Sequence, residues 1–211
     1  MPKSTTPASA VLEQLQAAYG PVTTALDFTS AYQLAVATIL AAQCTDVRVN
    51  MVTPAFFEAW PDPTALASAS EADVQAVIAS INFFRNKARN LIAFAQAVCT
   101  NYAGVVPQAL DDLTSLPGIG RKTANVVRAY AYGLPGVVVD THCGRLARRL
   151  GWTEETDAVK VEHALEALLP EAWWVDGCQL LVAHGRAICK AQRPACDRCA
   201  VAALCPSAGT F

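Results

Sequence analysis

From Phe84 to Tyr102 the apolar positions Phe84, Ala88, Leu91, Ile92, Ala95, Val98, Cys99 and Tyr102 keep the three-and-four spacing of one helix face, and the run stops before Gly104. The same period recurs along most of the chain. It predicts helices near Ala8 to Tyr19, closed by Gly20-Pro21, from Ser30 to Gln43, and from Val47 to Trp60 with Pro54 as an interruption. Ser70 followed by Glu71 and Asp73 is an N-cap pattern for a short helix through Ser80. Further helices are expected over Arg121 to Tyr132, His142 to Leu150, Ala158 to Leu169 and Trp173 to Cys189, and ALDDLTS before Leu116 also reads as helical. Only VVVD, Val137 to Asp140, reads as extended, so the fold class is all-α.

The 211 residues are 53% hydrophobic and 16% charged, which excludes a disordered chain. Mean hydropathy is +0.27, yet no uninterrupted apolar run reaches spanning length, and MPKSTTPASA lacks the apolar core of a signal peptide. These features predict a soluble, cytoplasmic protein without membrane contact. The net charge of −2 argues mildly against a nucleic-acid binder, but the placement of charge argues otherwise. Arg121, Lys122, Arg128, Arg145, Arg148 and Arg149 face the single acid Asp140 in their segment, and Arg186, Lys190, Arg193 and Arg198 face only Asp197 in a second. Such runs are commonly solvated helix faces; flanking a glycine turn, they predict a phosphate-binding surface.

That turn is LPGIGRKTANVV, Leu116 to Val127. A P-loop would need glycines where Leu116 and Arg121 stand, and a dinucleotide fingerprint would need a third glycine and a preceding strand. What remains is a helix, a tight Pro-Gly-Ile-Gly hairpin and a second helix whose N-terminus can receive a phosphate. A boundary between two lobes is expected at Gly133 to Gly136, which would set Lys122 and Asp140 on facing walls of a cleft.

Near the C-terminus Cys189, Cys196, Cys199 and Cys205 are spaced C-x6-C-x2-C-x5-C, whereas Cys44, Cys99, Cys143 and Cys178 are scattered singly. Four thiolates in one short loop suit a tetrahedral zinc or a [4Fe-4S] cluster equally well, and both are favoured over disulfides in a reducing compartment. The loop holds little else to pack, so its folding is expected to depend on the metal, in a structural role.

Taken in order, LPGIGRKTANVV, VVVDTH and the cysteine loop resemble the endonuclease III family of DNA base-excision glycosylases. AAQCTDVRVN (Ala41 to Asn50), NFFRNKA (Asn82 to Ala88) and LVAHGRAIC (Leu181 to Cys189) extend the resemblance over nearly the whole chain beyond the first two dozen residues. It implies a helix-hairpin-helix glycosylase fold: a six-helix barrel lobe over residues 21–132, and a lobe of residues 1–20 and 133–211 around a [4Fe-4S] cluster held by Cys189, Cys196, Cys199 and Cys205. It also implies a monomer acting on double-stranded DNA with damaged bases or abasic sites, associated with the nucleoid in a bacterium. The activity implied is a bifunctional glycosylase and AP lyase on oxidised pyrimidines such as thymine glycol.

By the same resemblance Lys122 is the amine that attacks the sugar C1′, and Asp140 is the carboxylate that stabilises positive charge on the sugar. The amine must be neutral to attack, and adjacent Arg121 and the positive helix end both disfavour an ammonium there. Leu116, Gly118, Ile119, Gly120, Arg121, Thr123 and His142 are expected to meet DNA, with Gln43 filling the hole left by the flipped base and Phe83 wedging against the opposite strand. Read alone, Lys122 is a phosphate contact, Asp140 an N-cap and Gln43 a polar helix end. The family commonly carries glycine where Asn82 stands, and asparagine tolerates the positive φ such a turn needs. Cys143 and Gly144 follow DTH where bulkier residues are common, which either widens the pocket floor or repacks it, and Ala41 replaces a frequent serine. Two rival functions are a monofunctional adenine mismatch glycosylase, which would lack Lys122 and extend beyond Phe211, and a non-catalytic helix-hairpin-helix module, which would have no use for Asp140.

Overall fold

The computed structural model describes residues 7–211; part of the N-terminal stretch read above as lacking a signal peptide lies outside the described residues. Eleven α-helices and three short 3-10 turns make up the described chain, which contains no strand. No described helix is long and apolar enough to cross a membrane. The chain divides into two compact units, Ala25–Leu134 and the N-terminal residues through Thr24 together with Pro135–Phe211.

In the unit Ala25–Leu134 the central element is α2 (Ala31–Ala41), in which Leu34, Ala35, Val36, Ala37 and Leu40 are wholly buried. A helix apolar on nearly every side has to be surrounded. It packs on α3 (Asp46–Ala59), α6 (Phe84–Tyr102) and α8 (Arg121–Tyr132). α3 runs through Pro54 without a break, contrary to the expected interruption. Proline removes one ladder bond, and the buried Val49, Val52, Thr53 and Phe56 on either side of it hold the helix together. α4 (Pro63–Ala67) was not expected, because five residues are too few to show a period; Asp62 caps it at Ala65 N (2.8 Å), with Pro63 in the first position. α5 (Glu71–Val77) starts at the predicted Ser70 cap, and α7 (Leu110–Ser115) is the predicted helix before the glycine turn.

In the other unit α11 (Trp174–Ala187) packs on α1 (Ala8–Tyr19) and α9 (Thr141–Arg149), and α10 (Ala158–Leu168) closes on α9. Two glycines of α11 set these approaches. A Cβ on Gly177 would lie 2.9 Å from Leu12 Cδ1, and one on Gly185 would lie 3.0 Å from His142 Cβ and Arg145 Nη2. Val137 and Val139, in the extended segment, join Leu12, Leu15, Leu146, Leu165 and Leu181 in one core.

Candidate nucleic-acid interface and active site

The turn between α7 and α8 is built by side chains that point inward and backbone that stays out. Leu116 and Ile119 are buried, and Ile119 N–H donates to Leu116 O at 3.1 Å. Gly118 is left-handed (φ 78°), and a Cβ there would lie 3.3 Å from Asn90 Cβ and 3.5 Å from Ile39 Cδ1, so both conformation and space call for glycine. Leu116 and Ile119 can therefore meet a ligand only through their backbone. Gly120, exposed and without a side chain, is the N-cap of α8, so the first turn of the helix has no side-chain cap. Lys122 is exposed in that turn and its amine has no partner among the described residues. A helix N-terminus without a side-chain cap and with an adjacent amine suits an anion.

A second projection stands at the end of α2. The expected helix to Gln43 ends at Ala41 instead, and Gln43 sits in an exposed turn at φ 55° before Thr45 caps α3. The reason is a lysine that periodicity alone did not single out. Lys87 of α6, only 6% exposed, sends Nζ to Leu40 O (2.8 Å) and Ala42 O (2.6 Å), taking carbonyls that a continuing helix would have used. Burial pulls its ammonium below the ordinary lysine value, and Cys44 acts in the opposite sense. Lys87 lies three residues after Phe84 and four before Leu91, a charge on the apolar face of α6, and that position was its signal in the sequence.

Asn82 differs from expectation as well. The left-handed residue before α6 is Phe83 (φ 58°), not Asn82. Asn82 instead uses its side chain, with Nδ2 donating to Gln43 O at 2.6 Å. Phe83 is left 61% exposed.

Asp140 belongs to the other unit, where it is the N-cap of α9 and its Oδ1 accepts from Cys143 N–H at 2.8 Å. Its second oxygen is available for other work. His142, half-buried on the first turn of α9, is engaged by Arg145 Nη2 at 3.2 Å and lies against Gly185. Cys143 is fully buried and hydrogen-bonded to Cys178, so these two are not isolated as the scattered spacing had suggested; that bond first, and then burial, pushes its thiol well up. A Cβ on Gly144 would lie 3.5 Å from Arg148 Nη1 and 3.8 Å from Val139 Cγ1.

Three of the clustered arginines bond backbone carbonyls. Arg145 donates to Cys189 O (2.9 Å) and Gly185 O (3.1 Å), Arg148 to Glu155 O (3.2 Å), and Arg149 to Lys190 O (2.7 Å) and Ala191 O (2.9 Å). These arginines are thus held by backbone carbonyls of their own unit. Arg149 also donates to Cys189 Sγ (3.2 Å) and lies 4.2 Å from the centre of the Phe211 ring. Cys189, Cys196, Cys199 and Cys205 line one pocket together with Leu15, Leu146 and Val201. Among the described residues no three His, Cys, Asp or Glu side chains group as the ligands of a single ion. Burial raises the Cys199 and Cys205 thiols. Four soft donors around one pocket that no carboxylate lines fit an iron-sulfur group in chemistry.

The HhH-GPD superfamily base excision DNA repair protein model matches residues 36–171. The chain is 46% identical to endonuclease III of a Synechocystis strain over 202 residues, covering 95% of this chain and 92% of that one. It is 41% identical to endonuclease III of Bacillus subtilis, covering 82% and 80%. A trapped endonuclease III–DNA covalent intermediate superimposes with TM-score 0.91 at 33% identity, covering 97% of this chain and 98% of that one. A thermostable thymine-DNA glycosylase shares the fold with TM-score 0.87 at 20% identity, covering 97% of each chain.

Proposed function

The chain belongs to the HhH-GPD superfamily of base excision DNA repair proteins, within its endonuclease III family, and we propose from that membership how its own residues divide the work of a bifunctional DNA glycosylase and AP lyase. The substrate is duplex DNA carrying an oxidised pyrimidine of the thymine glycol type. The exposed Lys122 amine, on a helix turn without a side-chain cap, is the observation that carries this reading.

Lys122 Nζ attacks C1′ of the damaged nucleotide, the C1′–N bond breaks, and the base leaves with the bonding pair and a proton. Opening of the sugar at C1′–O4′ then gives the Schiff base. Loss of a C2′ proton expels the 3′ phosphate and cuts the strand. Positive charge builds on the sugar as the base departs, and the free oxygen of Asp140 is the group that stabilises it. Its other oxygen stays on Cys143 N–H, so one carboxylate both starts α9 and serves the reaction. The backbone from Leu116 to Gly120, with Arg121 and Thr123, holds phosphate. Gln43 fills the space vacated by the flipped base, Phe83 meets the opposite strand, and His142, on the first turn of α9, meets the DNA.

Residues 21–132 are assigned to the barrel lobe and residues 1–20 and 133–211 to the iron-sulfur lobe. Cys189, Cys196, Cys199 and Cys205 would hold a [4Fe-4S] cluster; bound, it would supply no step of the excision and would cross-link the loop. We read the protein as a monomeric, cytoplasmic repair enzyme without membrane contact. Borohydride trapping on a duplex with a single thymine glycol tests the reading. Wild type is expected to give a covalent adduct and Lys122→Ala none, while both still bind the duplex. A wild type that binds but neither excises nor traps, on this duplex or on one with an abasic site, would overturn it.

A further inference from the structure

Two prongs of the unit Ala25–Leu134 share an unusual construction. Gln43 (φ 55°) and Phe83 (φ 58°) are both exposed, both non-glycine, and both in the left-handed region that an L side chain disfavours. Such conformations persist only where the surroundings over-determine them. Here the surroundings are two side chains from one short stretch. Asn82, adjacent to the Phe83 prong, bonds its amide to the Gln43 carbonyl itself at 2.6 Å. Lys87, one turn into α6, bonds the carbonyls of Leu40 at 2.8 Å and Ala42 at 2.6 Å. Three backbone carbonyls in four consecutive residues, Leu40 to Gln43, are thus taken by side chains that approach from the Phe83 side.

A buried lysine is a poor way to end a helix if ending the helix is all that is needed, since a glycine would do so without desolvating a charge. What the glycine would not do is tie one turn to the other. We propose that Asn82 and Lys87 are positioning residues for base extrusion: they join Gln43 and Phe83 into one rigid two-pronged element that enters the two strands of the duplex with fixed spacing. This rests on the reading of the chain as a glycosylase whose Gln43 fills the vacated stack. The gain is preorganisation, because a turn already locked in its bound shape loses no further freedom on binding. The advantage is greatest where a stacked, paired base must be displaced and smallest where the site is already abasic.

The test compares wild type, Asn82→Ala, Gln43→Ala and the double variant as single-turnover excision on a thymine glycol duplex, with a 2-aminopurine placed beside the lesion to report unstacking. Borohydride trapping on an abasic duplex is run in parallel. Asn82 is exposed, so its variant is expected to fold, and a urea titration checks this. Asn82→Ala should slow excision and the fluorescence rise by about tenfold or more, while trapping on the abasic duplex stays within about twofold. In the Gln43→Ala background the same change should add less than about twofold, since residues acting through one another are not additive. Lys87→Met, compared under conditions where it is folded, should show the same pattern.

Excision by Asn82→Ala at the wild-type rate would overturn the inference. So would an equal loss on both substrates, which is the mark of a general structural role, or a full additive loss in the Gln43→Ala background, which would mean that Asn82 acts on DNA by itself. A wild type silent on both substrates removes the glycosylase reading and this inference with it. Wild-type activity with an unaffected Asn82→Ala removes this inference alone.

Discussion

Gln43 holds a backbone conformation that costs an L residue roughly 1–2 kcal/mol, a strain that a glycine would not carry. Strain of this kind at an exposed residue is a sign of use, because nothing in the packing requires a glutamine there. Gln43→Gly is therefore expected to make the fold more stable by about 0.5–1 kcal/mol, the relieved strain being partly offset by the greater freedom of glycine in the unfolded chain. Excision on a thymine glycol duplex should fall at the same time. A urea midpoint that drops, with unchanged slope, would show that the left-handed turn is not strained. Lys87 presents the opposite case. Its removal in Lys87→Met strands the Leu40 carbonyl inside the unit and is expected to cost about 1–3 kcal/mol in the same titration.

At the level of elements, α9 begins on a residue that the sequence allowed to be either a cap or a catalyst, and the structure places the cap without excluding the chemistry. The two roles separate by substitution. Asparagine caps a helix about as well as aspartate, whereas alanine does not and costs about 0.5–2 kcal/mol. Asp140→Asn should thus keep wild-type stability yet lose roughly a hundredfold or more in excision, and Asp140→Ala should lose both; equal excision by Asp140→Asn and wild type would leave Asp140 a cap and nothing else. Most helices were legible because a long amphipathic period records burial directly, as in α6, and because the Ser70 and Asp140 caps are local signals. α4 was not legible, since its five residues complete little more than one turn and its existence depends on packing against α6. The end of α2 was misread for a related reason: Lys87 lies far along the chain from the carbonyls it removes from the helix, and no local pattern carries that information.

For the whole molecule, a net charge of −2 sits uneasily with a DNA-binding role, and the sequence suggested that clustered arginines resolve this. The structure resolves it differently. A run of basic letters shows where charge is placed in the chain but not which way it faces, and Arg145, Arg148 and Arg149 face backbone carbonyls. The salt dependence of binding counts the cations that reach phosphate, because its slope follows the number of phosphates neutralised at about 0.9 per contact. Arg149→Ala is expected to leave that slope unchanged. The effect of Arg149→Ala should appear elsewhere, since its guanidinium holds Lys190 O, Ala191 O and Cys189 Sγ and lies over Phe211. With those contacts gone the loop that bears the four cysteines loses its anchor to α9, and iron content per chain after purification and the visible absorbance should both fall. A slope that flattens in Arg149→Ala with iron retained would return Arg149 to the phosphate surface that the sequence first suggested.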